Sequence, residues 1–412
     1  MSIRQSRWLN LLIFCVINLF AGSLYAWSVF SGPLAARLTA LTGETVTAAD
    51  LGIIFSIAAA VNPLAMIAGG WINDRFGARA VIPVGGAMIG AGLMLASTVT
   101  SLSALMLVYG VCFGLGVGFT YTSTISTSIK FFPDRRGLAG GLSSMSYGFS
   151  SILLPPIASA LIQAFGIETT LLSLGAVCGT VIVVGGLLSK KCPDNINELV
   201  LPKEKLSSNM STSAKLHQDK NWKEMLATPV FWVMLLFFIS GSTAALMLIS
   251  SASTIAQQQI GVSVSVAAFA VSILAIMNAA GRIVGGLASD RIGRIPALMM
   301  NLVLATAGLF ILLVAGEGDF TLFVCGLSAI GFCYGGFVGI FPGFTVDQFG
   351  AKYNSVNYGI MAAGFSSGGV IGPMLLKALS LPGDYHLAYQ AALGVSGFGF
   401  VLALICIKLT KR

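Results

Sequence analysis

Charge is scarce in this sequence. Asp, Glu, Lys and Arg together make up 9% of its 412 residues, against roughly 25% in soluble domains. Acid is scarcer than base, 15 residues against 23, and every acid lies between long apolar runs or at their ends. Histidine occurs twice, as His217 and His386. The seven cysteines form no CxxC pair, and all but Cys192 lie inside apolar runs, where a thiol acts as a small packing residue. These absences exclude a metal cluster, a disulfide framework and a conventional hydrolytic centre. The glycine-rich GLGVGF, residues 114–119, lies inside an apolar run and reads as helix packing, not as a phosphate loop. No enzyme, resident metal or cofactor is expected.

What is abundant is apolar sequence, 56% of the chain. A bilayer-spanning helix needs about 20 such residues. Twelve runs qualify, at 9–31, 50–71, 80–100, 103–129, 138–164, 168–189, 229–256, 264–287, 296–315, 320–345, 356–379 and 385–408. The first exceeds the apolar core of a cleaved signal peptide and eleven more follow it, so it reads as a span. The fold class expected is an all-α membrane protein of twelve transmembrane helices.

The net charge of +8 is a topology signal, not a nucleic-acid footprint. With the amino terminus placed in the cytoplasm, nearly all Lys and Arg fall on the cytoplasmic side. Arg37 and Lys377 alone fall on the outer side, and Arg282 is the one residue left to neither side. By the positive-inside rule both termini are expected in the cytoplasm of a bacterial or archaeal cytoplasmic membrane. Residues 190–228 are the one long polar segment, rich in Lys, Ser and Asn and containing His217. They read as a flexible cytoplasmic linker between a first bundle, 1–189, and a second, 229–412.

The two halves resemble each other. At an offset of 216 residues, NPLAMIAGGWINDRFG from Asn62 falls on NAAGRIVGGLASDRIG from Asn278. The same offset places Gly148–Phe149–Ser150–Ser151 on Gly364–Phe365–Ser366–Ser367, and Tyr121 on Phe337. Six crossings return a chain to its starting side, so the copies share one orientation. Parallel repeats of this kind build transporters with a midplane site between two six-helix bundles related by a pseudo-twofold axis.

Each copy ends in G-x-x-x-D-R-x-G, as Gly70, Asp74, Arg75 and Gly77 and again as Gly286, Asp290, Arg291 and Gly293. This resembles the signature loop of the major facilitator superfamily, between its second and third and its eighth and ninth helices. The resemblance implies that Asp74, Arg75, Asp290 and Arg291 form latches, each Asp capping a helix end and holding one conformational state. Ala78 departs from the basic residue often found there.

Arg282 is the strongest functional signal. A charge at a helix centre costs about 2.5–3.5 kcal/mol on insertion scales and normally faces a cavity. The repeat puts Met66 at the equivalent place, so the fold itself does not require the charge. No acid of the sequence lies at that depth. Arg282 is therefore expected to bind a substrate anion, a carboxylate for preference, because a guanidinium grips one bidentately. Asn278, four residues earlier, shares its helix face. It orients the guanidinium, accepts from a substrate hydroxyl, or makes a packing bond between helices.

The segment GSLYAWSVFSGPL, residues 22–34, resembles the first helix of the oxalate/formate antiporter family through Gly22, Tyr25, Trp27, Ser28 and Phe30. FFPDRRGLAGGL, 131–142, resembles that family's loop after the fourth helix. The resemblance implies transport of small carboxylates such as oxalate, formate, lactate or pyruvate. The oxalate carrier pairs its arginine with a lysine in the eleventh helix. Phe365 stands at that place here, and a single cation suits a monoanion. Animal monocarboxylate transporters, by resemblance, place an Asp where this chain has Asn278, which cannot titrate. Tyr25, Tyr121, Tyr147 and Phe337 are expected to line the remainder of the site.

The function expected is proton-coupled symport of a monocarboxylate, L-lactate first, by a monomer in the bilayer. The alternatives are an oxalate/formate-type exchanger and a carboxylate receptor that does not transport.

Overall fold

In the computed structural model of the chain, residues 3–410 are described except 49, 194, 201–218 and 382. Eleven helices among the described residues are long and apolar enough to cross a membrane. They are Gln5–Thr42 (α1), Gly52–Phe76 (α2), Ala78–Ala96 (α3), Leu102–Phe131 (α4), Arg136–Leu188, Pro229–Ile249 (α7), Val264–Ile292 (α8), Arg294–Val314 (α9), Phe320–Phe349 (α10), Asn354–Leu379 (α11) and His386–Thr410 (α12). The helix of 53 residues breaks at Gly166, whose φ of 76° and ψ of 169° no helix contains. Its limbs, 136–165 (α5) and 167–188 (α6), complete twelve helical limbs, one for each apolar run.

The polar segment 190–228 is only partly described, and His217 lies outside the described residues. Its flanks are ordered as short helices, Ile196–Val200 and Trp222–Leu226. Asn221 caps the second, accepting from the Lys223 and Glu224 amides while the Glu224 carboxylate accepts from the Asn221 amide. This reciprocal capping box is written in the N-x-x-E spacing. The flanks thus depart from the flexible linker expected of composition alone.

The described residues form two compact units, one drawn from Met1–Asp134, Ser146–Leu216 and Ala351–Ile360, the other from Arg135–Met145, His217–Gly350 and Met361–Arg412. The first ten or so residues of α5 pack with the second unit, and those of α11 with the first.

Glycine sets the helix crossings within each unit. A Cβ on Gly90 of α3 would meet Gly179 Cα of α6 at 2.9 Å and the Gly175 carbonyl at 3.0 Å. In the second unit a Cβ on Gly336 of α10 would meet the Asn301 side chain of α9 at 2.3 Å. Overpacking such contacts costs about 1–3 kcal/mol each. Gly90→Val is expected to lower the melting temperature of the purified protein by several degrees, whereas Gly32→Ala, with no neighbour within 4 Å of its Cβ, leaves it unchanged. A thermal melt followed by size-exclusion recovery checks both.

α1 is not a uniform helix. Its turn Gly22–Ala26 is a 3-10 helix, tighter than the α-helix around it. The Gly22 carbonyl accepts the Ser150 hydroxyl of α5 at 2.9 Å, and a side chain on Gly22 would displace that hydroxyl. This clasp fixes the point at which Tyr25 leaves α1.

Candidate functional site

Arg282 is 4% exposed on α8. Its Nε donates to Asn278 Oδ1 at 3.0 Å and its Nη1 to the Ser144 carbonyl at 2.5 Å. Both acceptors are neutral. No carboxylate among the described residues pairs with Arg282. Five acids pair with other bases: Asp134 with Arg7, Glu168 with Arg37, Asp74 with Lys130, Asp290 with Arg294, and Asp347 with Arg136 and Arg294.

The backbone around Arg282 is gripped by glycine on two sides. A Cβ on Gly141 of α5 would meet the Arg282 carbonyl at 2.4 Å, and one on Gly339 of α10 would meet the same oxygen at 2.5 Å. Gly335 does the same for the Asn278 carbonyl at 2.0 Å. Close backbone approach therefore holds the helix, and the guanidinium needs no protein anion to fix its place.

The first unit gathers the aromatic candidates. Tyr147 lies 4.8 Å from Tyr121 and 5.5 Å from Tyr25, centroid to centroid. Tyr121 and Tyr147 are nearly buried, at 6% and 9% exposure, and Tyr25 is half-buried. Beside them the helix α4 sequence TYTSTISTS buries a column of hydroxyls, of which Thr124 donates to Asn18 Oδ1 of α1 at 2.8 Å. Phe337 has other company. It packs inside the second unit against Phe237 and Phe341, with centroids 5.5 and 6.0 Å away, and its ring covers Gly241. Phe365 stands 6.1 Å from Phe238, which stacks on Phe341 at 3.9 Å. Phe365 thus belongs to an aromatic cluster of the second unit.

The two loop aspartates do cap helices. Asp290 accepts from the Gly137 and Leu138 amides of α5 at 2.8 and 2.9 Å. Asp74 accepts from the Ser355 and Val356 amides of α11 at 3.1 and 3.0 Å. Neither aspartate pairs with the arginine beside it in the motif. Asp290 pairs with Arg294 at 2.7 Å, not with Arg291, and Arg294 also holds Asp347, which pairs with Arg136 at 2.6 Å. Asp74 pairs with Lys130 at 2.8 Å, not with Arg75. The next residue on a helix points about 100° away, so Arg75 and Arg291 turn from the acids they follow. Arg291 is exposed. Arg75 is exposed too, its guanidinium lying 5.7 Å from the Trp71 ring and 5.5 Å from Phe76. Lys130, Arg136, Arg294 and Asp347 were not singled out from the sequence. Arg294 alone carried a local signal, the i+4 spacing from Asp290.

Twelve apolar helical limbs, and a deep arginine held by neutral acceptors, have the build of a membrane transporter. The chain belongs to the Major Facilitator Superfamily, whose family model matches residues 11–373 and 242–412. It is a secondary transporter and not an enzyme. It is 27% identical over 415 residues to the oxalate:formate antiporter of Oxalobacter formigenes, covering 99% of this chain and 93% of that protein. It is 27% identical over 361 residues to monocarboxylate transporter 12 of Xenopus laevis, covering 83% and 76%. The fold matches the proton:xylose symporter XylE, solved with 6-bromo-6-deoxy-D-glucose bound, with a TM-score of 0.74 over 98% of this chain and 96% of that one, at 13% identity.

Proposed function

We propose that the protein carries small monocarboxylates, L-lactate foremost, across a cytoplasmic membrane by alternating access, with both termini in the cytoplasm and Arg282 holding the carboxylate. The observation that carries this reading is the state of Arg282: buried, fixed through Nε and Nη1 by neutral oxygens, and with no anion paired to it among the described residues. Its Nη2 makes no hydrogen bond among the described residues and remains to grip a carboxylate together with the second Nη1 proton. Asn278 orients the guanidinium. Tyr121, Tyr147 and Tyr25 gather within the first unit, while Phe337 shapes helix packing in the second. The names of the two relatives support the substrate class.

One cation selects a monoanion. A dianion brought to a lone guanidinium leaves one charge unmatched in a medium where charges interact several-fold more strongly than in water. The aromatic surroundings of Phe365 add no second cation. Proton coupling completes the scheme. Moving one charge against the membrane potential costs about 2.3 kcal/mol per 100 mV, and a lactate anion taken up with a proton moves none. Asn278 does not titrate, so the proton travels with the cargo.

Uptake of labelled L-lactate into proteoliposomes tests the reading. An inward proton gradient is expected to stimulate uptake several-fold. Unlabelled pyruvate should compete and oxalate should not. Uptake that requires an internal carboxylate, ignores the gradient and yields to oxalate would replace symport by exchange. The neutral surroundings of Arg282 and the antiport activity in one relative's name make that the second reading.

A further inference from the structure

The two loop aspartates do the same work with different cations, and the difference spans three aligned positions. In the second repeat the base comes from the loop itself. Arg294 follows Asp290 by four residues, across Gly293 with φ 94° and ψ 159°. Its guanidinium has room because position 343 is glycine: a Cβ there would stand 3.3 Å from Arg294 Cζ. In the first repeat the backbone is the same, with Gly77 at φ 85° and ψ 166°. The residue aligned with Arg294 is Ala78, which has no charge and is 4% exposed. The residue aligned with Gly343 is Thr127, whose hydroxyl accepts from Asn73 Nδ2 at 3.4 Å and fills the corresponding space. The cation arrives instead from α4: Lys130 Nζ lies 2.8 Å from Asp74 Oδ1, with the lysine side chain 19% and the aspartate 7% exposed.

We infer that Lys130 is the positioning residue of the first latch, supplying from the end of α4 the counter-charge that Ala78 cannot. Lys130 keeps Asp74 aimed at the Ser355 and Val356 amides. Asn73 Nδ2, donating to Ser355 Oγ at 2.7 Å, holds the same turn from the side. Without the ammonium, a carboxylate only 7% exposed loses its one charged partner among the described residues, and its grip on the first turn of α11 loosens. The first latch therefore answers to α4, whereas the second is closed by its own loop. The inference rests on Asp74 acting as a latch, and not on the identity of the cargo.

Hydrogen exchange of the full-length protein, read by mass spectrometry without any substrate, tests it. Lys130→Met is expected to speed exchange in 354–361 about tenfold or more, the loss of a charge-assisted hydrogen bond, while leaving 135–145, capped by Asp290, unchanged. Lys130→Arg should keep the native rate. Rebuilding the second latch in the first, as Ala78→Arg with Thr127→Gly on the Lys130→Met background, should restore protection. An unchanged rate at 354–361 in Lys130→Met would overturn the inference. So would an equal rise in both segments, which would mark a general loss of packing. Loss of lactate uptake in the native protein would sink the transport reading and leave this one standing.

Discussion

Replacing Arg282 by alanine is expected to weaken L-lactate binding by about 100-fold or more and to remove saturable uptake. Truncating one partner of a buried charged pair costs about 2–5 kcal/mol, and in the proposed function the other partner is the cargo. The two acceptors left behind, Asn278 Oδ1 and the Ser144 carbonyl, are neutral and lie on helices held by Gly141, Gly335 and Gly339. The fold is therefore expected to survive, with a melting temperature close to native. Arg282→Lys separates charge from shape. It keeps the cation as a compact point charge but loses the planar fork, so binding should fall about tenfold and remain measurable. Ligand-induced stabilisation in a thermal melt reads all three forms. Equal stabilisation of native protein and Arg282→Ala by L-lactate would show that the carboxylate sits elsewhere.

The second large effect is expected at Asp290. This carboxylate accepts from two α5 amides and from Arg294, whose other face is held by Asp347, itself bound to Arg136. Asp290→Asn is nearly isosteric but turns a donor toward donors. One of the amide bonds is lost, and Arg294 keeps only Asp347 and the Ser289 hydroxyl, at 2.6 Å each. Removing one partner of a buried ion pair costs about 3–5 kcal/mol, and the second acid places this case at the lower end. Transport is expected to fall more than tenfold while lactate affinity changes by less than threefold, because the loop touches none of the residues proposed to hold cargo. Hydrogen exchange in 135–145 should rise. A fall in affinity equal to the fall in rate would assign Asp290 to binding instead of conformational cycling.

The helices were legible because a membrane span has a simple signature: length and absence of charge. Twelve apolar runs became twelve helical limbs, including the two that continue through Gly166 with hardly a turn between them. The repeat was legible because both copies keep Asn, Gly and Asp at the same spacing. Arg282 was legible by contrast with the apolar residues around it. The partners of the loop aspartates were not. Lys130 lies 56 residues from Asp74, and Asp347 lies 53 from Arg294, and charge at a helix end has many solvated explanations. The neighbouring Arg75 and Arg291 carried the motif in sequence, yet a helix turns them away from the acid they follow. Phe337 was placed by alignment with Tyr121, and alignment carries backbone position without the side chain's company. Ser144 could not be foreseen at all, because it contributes a main-chain oxygen and any residue type would serve.

Counterflow tests most directly whether Arg282 anchors a carboxylate in transport. Proteoliposomes loaded with unlabelled L-lactate and diluted into labelled L-lactate should accumulate label transiently through the native protein, and not at all through Arg282→Ala at equal incorporation. Counterflow of the same height and rate in both would contradict the account.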